Sequence, residues 1–212
     1  MPRGLRIGRL FGTDIEATPG FGVLLAVYLY IYRDSGTAAI WCLAVVVSLL
    51  VHEFGHVLAV RRLLREPCRV LLWGLGGLCV WEGRPGTPGR RLAISLAGPA
   101  AGFAAGLLVL GADRLWAPAH PFARELVSDL LWINIAWSAL NLLPIWPLDG
   151  GQALYCVVAL VRGRPNGDLV RRVSLATTAV ALGAALYVRM PFAAVLAGLL
   201  LMENLRTRPG LE

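Results

Sequence analysis

The sequence predicts an all-α polytopic membrane protein with about six transmembrane helices, a three-helix core and a short re-entrant β-hairpin. Three observations carry this expectation. Of 212 residues, 57% are apolar and 16% charged, with a mean hydropathy of +0.66, outside the usual balance of a soluble domain. The apolar residues gather into runs that approach the length needed to cross a ~30 Å hydrocarbon core at ~1.5 Å per residue. All twenty basic residues are arginine, and they fall unevenly between the loops, as they do when spans have a fixed orientation.

The elements follow in order. Residues 1–36 hold an N-terminal strand and a first span, Pro19–Tyr32. That span lacks a small-residue cleavage site and runs into Arg33-Asp34, so it reads as a retained anchor. The second span, Thr37–Val60, has 24 residues. Arg69–Glu82 contains two β-prone runs around a glycine-rich turn with Gly76 and Gly77, too short for two crossings, with Trp73 and Trp81 as interfacial aromatics. Leu92–Ala112 forms the third span, where Gly102, Gly106 and Gly111 permit close helix packing. Leu126–Leu143 forms the fourth; Pro144 and Pro147 stop it, and Gly150-Gly151 turns the chain into a helix from Gln152 to Val161. Val173–Val188 and Pro191–Met202 are short and fit a tilted C-terminal pair. The organisation is thus one integral-membrane domain, 1–212, with its core at 37–161 and a helical pair at 162–212.

Orientation is read from arginine. With a cytoplasmic N-terminus, sixteen arginines lie inside and four outside (Arg33, Arg114, Arg124 and Arg189), which places both termini in the cytoplasm. The net charge of +7 then reflects topology and the lipid bilayer, and no aromatic-interleaved basic patch suggests nucleic acid. Cys42, Cys68, Cys79 and Cys156 form no Cys-x-x-Cys pair and read as small apolar packing residues on the reduced side.

The chemistry concentrates in His52-Glu53-Phe54-Gly55-His56, which closes the second span. Histidines four residues apart share a helix face and can both ligate Zn²⁺, and the intervening glutamate can act as general base. Ionisable groups in a span cost ~2.5–3.5 kcal/mol each on insertion scales, so three adjacent polar side chains call for a compensating ligand. Two histidines and a water leave one position for a protein ligand at membrane depth. Asp149, at the end of the broken fourth span, is the best candidate. His120, in an outer loop, reads as a solvated residue.

Taken together, His52-Glu53-x-x-His56 and Asn141-x-x-Pro144-x-x-x-Leu148-Asp149-Gly150 resemble the site-2 protease family of intramembrane zinc metalloproteases, peptidase family M50. Ile7–Gly12, Gly74–Gly77 and Ser95–Pro99 resemble it too, so the likeness runs from about residue 5 to 160. The chain departs from small members at Thr18, where they carry a histidine before the proline. The resemblance implies a zinc metalloendopeptidase that cuts peptide bonds within or near transmembrane segments. One Zn²⁺ per chain would be held by His52, His56 and Asp149, with Glu53 as the catalytic base. Asn141 would position substrate near the metal; Asn134, two helical turns earlier, is either a second amide of that wall or an interhelical tie. The hairpin with Gly76 and Gly77 would bind an unwound substrate segment as an added strand. Single-span membrane proteins are the expected substrates, in a bacterial cell membrane. The competing readings are a catalytically silent scaffold or substrate-binding relative, which the presence of Glu53 disfavours, and a metal transporter, which should spread polar groups across the membrane depth.

Overall fold

The computed structural model describes residues 4–31, 36–74, 76–84, 86–116 and 118–207. Arg3, the end of the first expected span at Tyr32, Arg33, Leu75 of the hairpin turn and Arg208 lie outside the described residues. Four strands and seven helices follow in the order β1 (Leu5–Leu10), β2 (Thr13–Ala17), α1 (Pro19–Ile31), α2 (Ala38–Leu63), β3 (Cys68–Trp73), β4 (Gly76–Trp81), α3 (Pro88–Trp116), α4 (Pro121–Asn141), α5 (Asp149–Arg162), α6 (Gly167–Tyr187) and α7 (Pro191–Arg206).

The protein is not all-α. The expected β3–β4 hairpin is present, but β1 and β2 form a second one, and the four strands make a mixed sheet in the order β1-β2-β3-β4. β1 and β2 are antiparallel with Leu10 opposite Thr13, so only Phe11 and Gly12 make the turn. Their φ values of 48° and 74° match the two-residue hairpin turn in which both central residues are left-handed. Arg6 and Arg9 reach Asp14 at 3.1 and 3.6 Å. β2 pairs in parallel with β3, which requires a long crossover, here α1 and α2. Glu16 of β2 accepts from Arg69 of β3 at 2.6 Å and from the Gly4 backbone at 3.2 Å.

One face of the sheet packs on α1 and α2. Ile15, Val70 and Leu72 from the strands meet Phe21, Leu49 and Val57 from the helices in one buried cluster. This burial, at ~1.5–3 kcal/mol for each large apolar side chain, fixes the hairpin over the second half of α2.

Among the described residues, three helices are long and apolar enough to cross a membrane: α2, α3 and α6. The other three expected spans correspond to α1 at 13 residues, α7 at 16 residues and α4, whose apolar run carries Arg124, Glu125 and Asp129. The fold is that of an integral membrane protein, and the count of six is not established by helix length and apolarity.

The chain divides into two compact units, Met1–Arg84 with Ala97–Ser138 and Pro85–Leu96 with Ala139–Glu212. In the second unit α5 ends at Gly163, with φ of 68°, as left-handed helix caps favour. Asn166 caps α6 by accepting from the Leu169 N–H at 3.0 Å.

Candidate metal centre

Within the first unit, α2 carries Ser48, His52 and His56 one turn apart, all buried. A regular helix brings i and i+4 side chains to the same face, and the two imidazoles are oriented edge to face with centroids 5.0 Å apart. Their Nε2 atoms stand 3.3 Å apart. Two nitrogens on a tetrahedral zinc at ~2.0–2.1 Å would be separated by roughly 3.3–3.4 Å, so the histidine pair fits one metal ion.

The space around this pair is shaped by glycines. A Cβ on Gly98 of α3 would run into the His56 ring, and one on Gly55 would strike the Ala97 carbonyl and Ala101. Glycine at these positions lets α2 and α3 approach closely while leaving the His56 edge room. Glu53 is buried, at 4% exposure, with its carboxylate against Gly77 of β4: a Cβ there would lie 2.5 Å from Oε1. Gly76 abuts the Trp137 ring. The expected hairpin glycines therefore do touch the expected base and its surroundings, and their lack of side chains makes the contact possible.

Asn134 donates through Nδ2 to Ser48 Oγ and to the Leu130 carbonyl, both at 2.8 Å. Its amide nitrogen is thus committed to holding α4 to α2, one turn before His52. Ser138 is buried beside Gly102 of α3, extending the same seam of small polar residues and glycine.

The second unit holds Asn141 and Asp149. Asn141 is the last residue of α4, and Asp149 the first of α5, where the positive end of the helix dipole favours a carboxylate. Between them the irregular backbone is closely satisfied. Leu142 and Leu143 N–H groups return to Ala139 and Leu140 carbonyls at 3.2 and 3.1 Å, and Leu148 N–H reaches the Ile145 carbonyl at 2.8 Å, across the cis Trp146–Pro147 bond. Gly150 and Gly151 pack against the backbone of Leu142, Leu143 and Ile145 so closely that a Cβ would collide.

Sequence reasoning missed what fixes this segment. Trp146 N–H donates to Ser174 Oγ of α6 at 2.7 Å. Ser174 in turn donates to Asn204 Oδ1 of α7, and Asn204 Nδ2 donates to the Trp146 carbonyl and, at 2.8 Å, to the Leu200 carbonyl. Ser174 and Asn204 are 0% and 1% exposed. Both peptide groups flanking Trp146 are thereby clamped three residues before Asp149. The available signal was Asn204 itself, a buried amide near the end of a largely apolar helix.

Among the described residues, His52, His56 and Asp149 are a group able to hold a metal ion. Two imidazoles and a carboxylate form the donor set of a zinc site that keeps one position for water. His120 is exposed and stacks on Phe122 at 5.5 Å.

The described residues thus join apolar helices long enough to cross a membrane, a small mixed sheet and a helix with a buried His-Glu-x-x-His face. Residues 117–185 match the family model of peptidase family M50. The zinc metalloprotease of Methanocaldococcus jannaschii is 26% identical over 161 residues, 75% of this chain and 47% of that one. A candidate zinc metalloprotease of Synechocystis sp. is 28% identical over 187 residues, 80% of this chain and 48% of that one. The chain thus spans just under half the length of these relatives. The fold matches that of the site-2 protease from Methanocaldococcus jannaschii with a TM-score of 0.74, over 99% of this chain and 97% of that one, at 19% identity. By its matched segment, its relatives and its fold, the chain is similar to the M50 zinc metallopeptidases.

Proposed function

We propose that this protein is an intramembrane zinc metalloendopeptidase that hydrolyses peptide bonds within or near transmembrane segments of single-span proteins. The observation that carries the reading is the buried His52–His56 pair on a membrane-spanning helix, its Nε2 atoms 3.3 Å apart, with a buried glutamate between them. Such groups are rare in spans without a function. We assign His52, His56 and Asp149 as ligands of one Zn²⁺, which when bound polarises the scissile carbonyl and lowers the pKa of a water from ~15.7 toward ~7.

Glu53 accepts the water's proton and returns it to the leaving amine. Its burial excludes competing solvent, and the close approach of Gly77 keeps its carboxylate against β4. β4 is a terminal strand of the sheet, so an unwound substrate segment can add to it as a further strand and lie beside the base. Gly76 and Gly77 leave that approach open. Asn141 contributes its amide as a donor near the substrate carbonyl. Asn134, with its nitrogen engaged elsewhere, serves by holding α4 to α2, and meets substrate only as an acceptor through Oδ1. For topology, we propose six crossings, both termini in the cytoplasm of a bacterial cell, with α1, α4 and α7 completing the set by tilting or by local thinning of the bilayer.

The test is cleavage of a helical membrane substrate, with zinc measured on the same samples. Glu53→Gln should retain the metal and lose at least ~10²–10⁴-fold in rate. Wild-type cleavage by the variant would exclude Glu53 as the base.

A further inference from the structure

We propose that Cys68 and Cys79 form a peroxide-reactive thiol pair whose oxidation to a cross-strand disulfide draws β3 and β4 together beside Glu53. In the β3–β4 register Val70 faces Cys79, and Cys68 faces Trp81. Paired residues and residues two apart share a face, so Cys68, Val70, Cys79 and Gly77 all lie on the side of the hairpin packed against α2. Both cysteines pack on the cluster that includes Val57, and both remain half-buried rather than sealed. Along α2, Glu53, Val57 and Arg61 follow one another at single-turn spacing, and the charges of Glu53 and Arg61 both act on the pair.

The two thiols are chemically unequal. Cys68 is lowered to about 7, chiefly by a hydrogen bond from Cys79 and then, against the opposing effect of burial, by the charge and hydrogen bonding of Arg61. Cys79 is raised by the same bond to Cys68, by burial, and by the negative charges of Cys68 and Glu53. A low-pKa thiolate next to a protonated partner is the arrangement of an attacking and a resolving cysteine. The Cys68 thiolate attacks one oxygen of hydrogen peroxide and breaks the O–O bond, giving a sulfenic acid and hydroxide. The Cys79 sulfur then displaces the sulfenic hydroxyl, and its proton leaves with that oxygen as water. Protonation of the first hydroxide completes the balance: two thiols and one peroxide yield one disulfide and two waters.

Cysteines placed diagonally across a strand pair have Cα atoms ~7–8 Å apart, beyond the ~4.4–6.8 Å usual for a disulfide, so closing the bond requires backbone movement. A strained bridge of this kind is readily reduced, which suits a transient modification in a thiol-reducing compartment. Movement of Cys79 carries Gly77, two residues away, against Glu53. This effect on cleavage rests on the function proposed above; formation of the disulfide does not.

The experiment uses full-length, zinc-loaded protein in detergent with Cys42→Ser and Cys156→Ser, so that only the pair remains. Hydrogen peroxide should abolish alkylation of both thiols, peptide mapping should recover a Cys68–Cys79 cross-link within one chain, and dithiothreitol should reverse it. The rate should rise with pH and level off above about 7. With Cys79→Ser added, dimedone should trap a sulfenic acid at Cys68. Persisting alkylation of both thiols, cross-links only between chains, or a sulfenic acid confined to Cys79 would overturn the pair. Unchanged cleavage by a cross-linked sample of an active enzyme would overturn only its coupling to Glu53.

Discussion

The two polypeptide regions that carry the proposed zinc ligands are built in opposite ways. His52 and His56 are aligned by helical periodicity alone, in the middle of a 26-residue helix whose backbone bonds are internal. Asp149 begins a helix after a break, and its place depends on glycine contacts and on the clamp from Ser174 and Asn204 to Trp146. The first region would present its ligands in any context that keeps α2 helical. The second does so only while α6 and α7 hold the preceding turn, which makes the irregular segment the weaker support of the site.

The largest expected effect treats both regions alike. His52→Ala, His56→Ala and Asp149→Ala should each remove most of the zinc measured by elemental analysis, since three protein ligands leave none to spare. Full zinc occupancy in Asp149→Ala would take that residue out of the metal shell and leave the comparison without its second member.

Glycine substitutions test the packing on each side. Gly→Ala inside an unobstructed helix stabilises by roughly 0.5–1 kcal/mol. At Gly98 the added methyl meets the His56 ring, and at Gly150 it meets the Leu142 and Leu143 carbonyls. Overpacking commonly costs ~1–3 kcal/mol, so both signs should reverse. Gly98→Ala should weaken zinc by displacing His56, whereas Gly150→Ala should chiefly lower the melting temperature. A stabilised Gly150→Ala protein would mean that the turn is looser than described.

The clamp offers a sharper division. Asn204→Ala should lower zinc affinity by ~10–100-fold, the range seen when a group supporting a metal ligand is removed. Thr178→Val removes a bond from the same helix, Thr178 Oγ1 to the Ser174 carbonyl at 2.7 Å, and should cost about 1 kcal/mol of stability with zinc affinity unchanged. Equal zinc loss in both variants would show that general loosening of the helical pair, rather than the hold on Trp146, governs Asp149.

The same contrast explains what could be read from the sequence. The His-Glu-x-x-His face follows from spacing within a single turn, and the Pro144–Gly151 break follows from residues that cannot continue a helix, so both were legible with their boundaries nearly right. The first hairpin was not, because its turn is Phe11-Gly12 and lacks the Asn-Gly or Asp-Gly signal that marks such turns. The clamp joins Trp146 to residues 28 and 58 positions away, and the Cys68–Cys79 proximity depends on strand register; neither has a local pattern. Hydropathy finds apolar segments, but the lengths of α1 and α7 and the charges of α4 emerge only with helix boundaries, so three of the six expected spans are helices with the length and apolarity of a crossing.

The smallest expected effect concerns Asn134, for which the sequence left two roles open. Its bond to Ser48 predicts that Asn134→Ala and Ser48→Ala destabilise by similar amounts and that a double-mutant cycle returns a coupling of ~0.6 kcal/mol, the average for polar ties between membrane helices. Cleavage should then change equally little in both, because the tie lies one turn before His52 and leaves the histidine spacing to the helix. A substrate-contacting amide would behave otherwise: Asn134→Ala would raise KM or lower kcat while Ser48→Ala would not, and the coupling would be near zero. The comparison is informative because Ser48 removes the same bond from the other side, so any excess loss in Asn134→Ala measures what the amide does beyond holding α4 to α2.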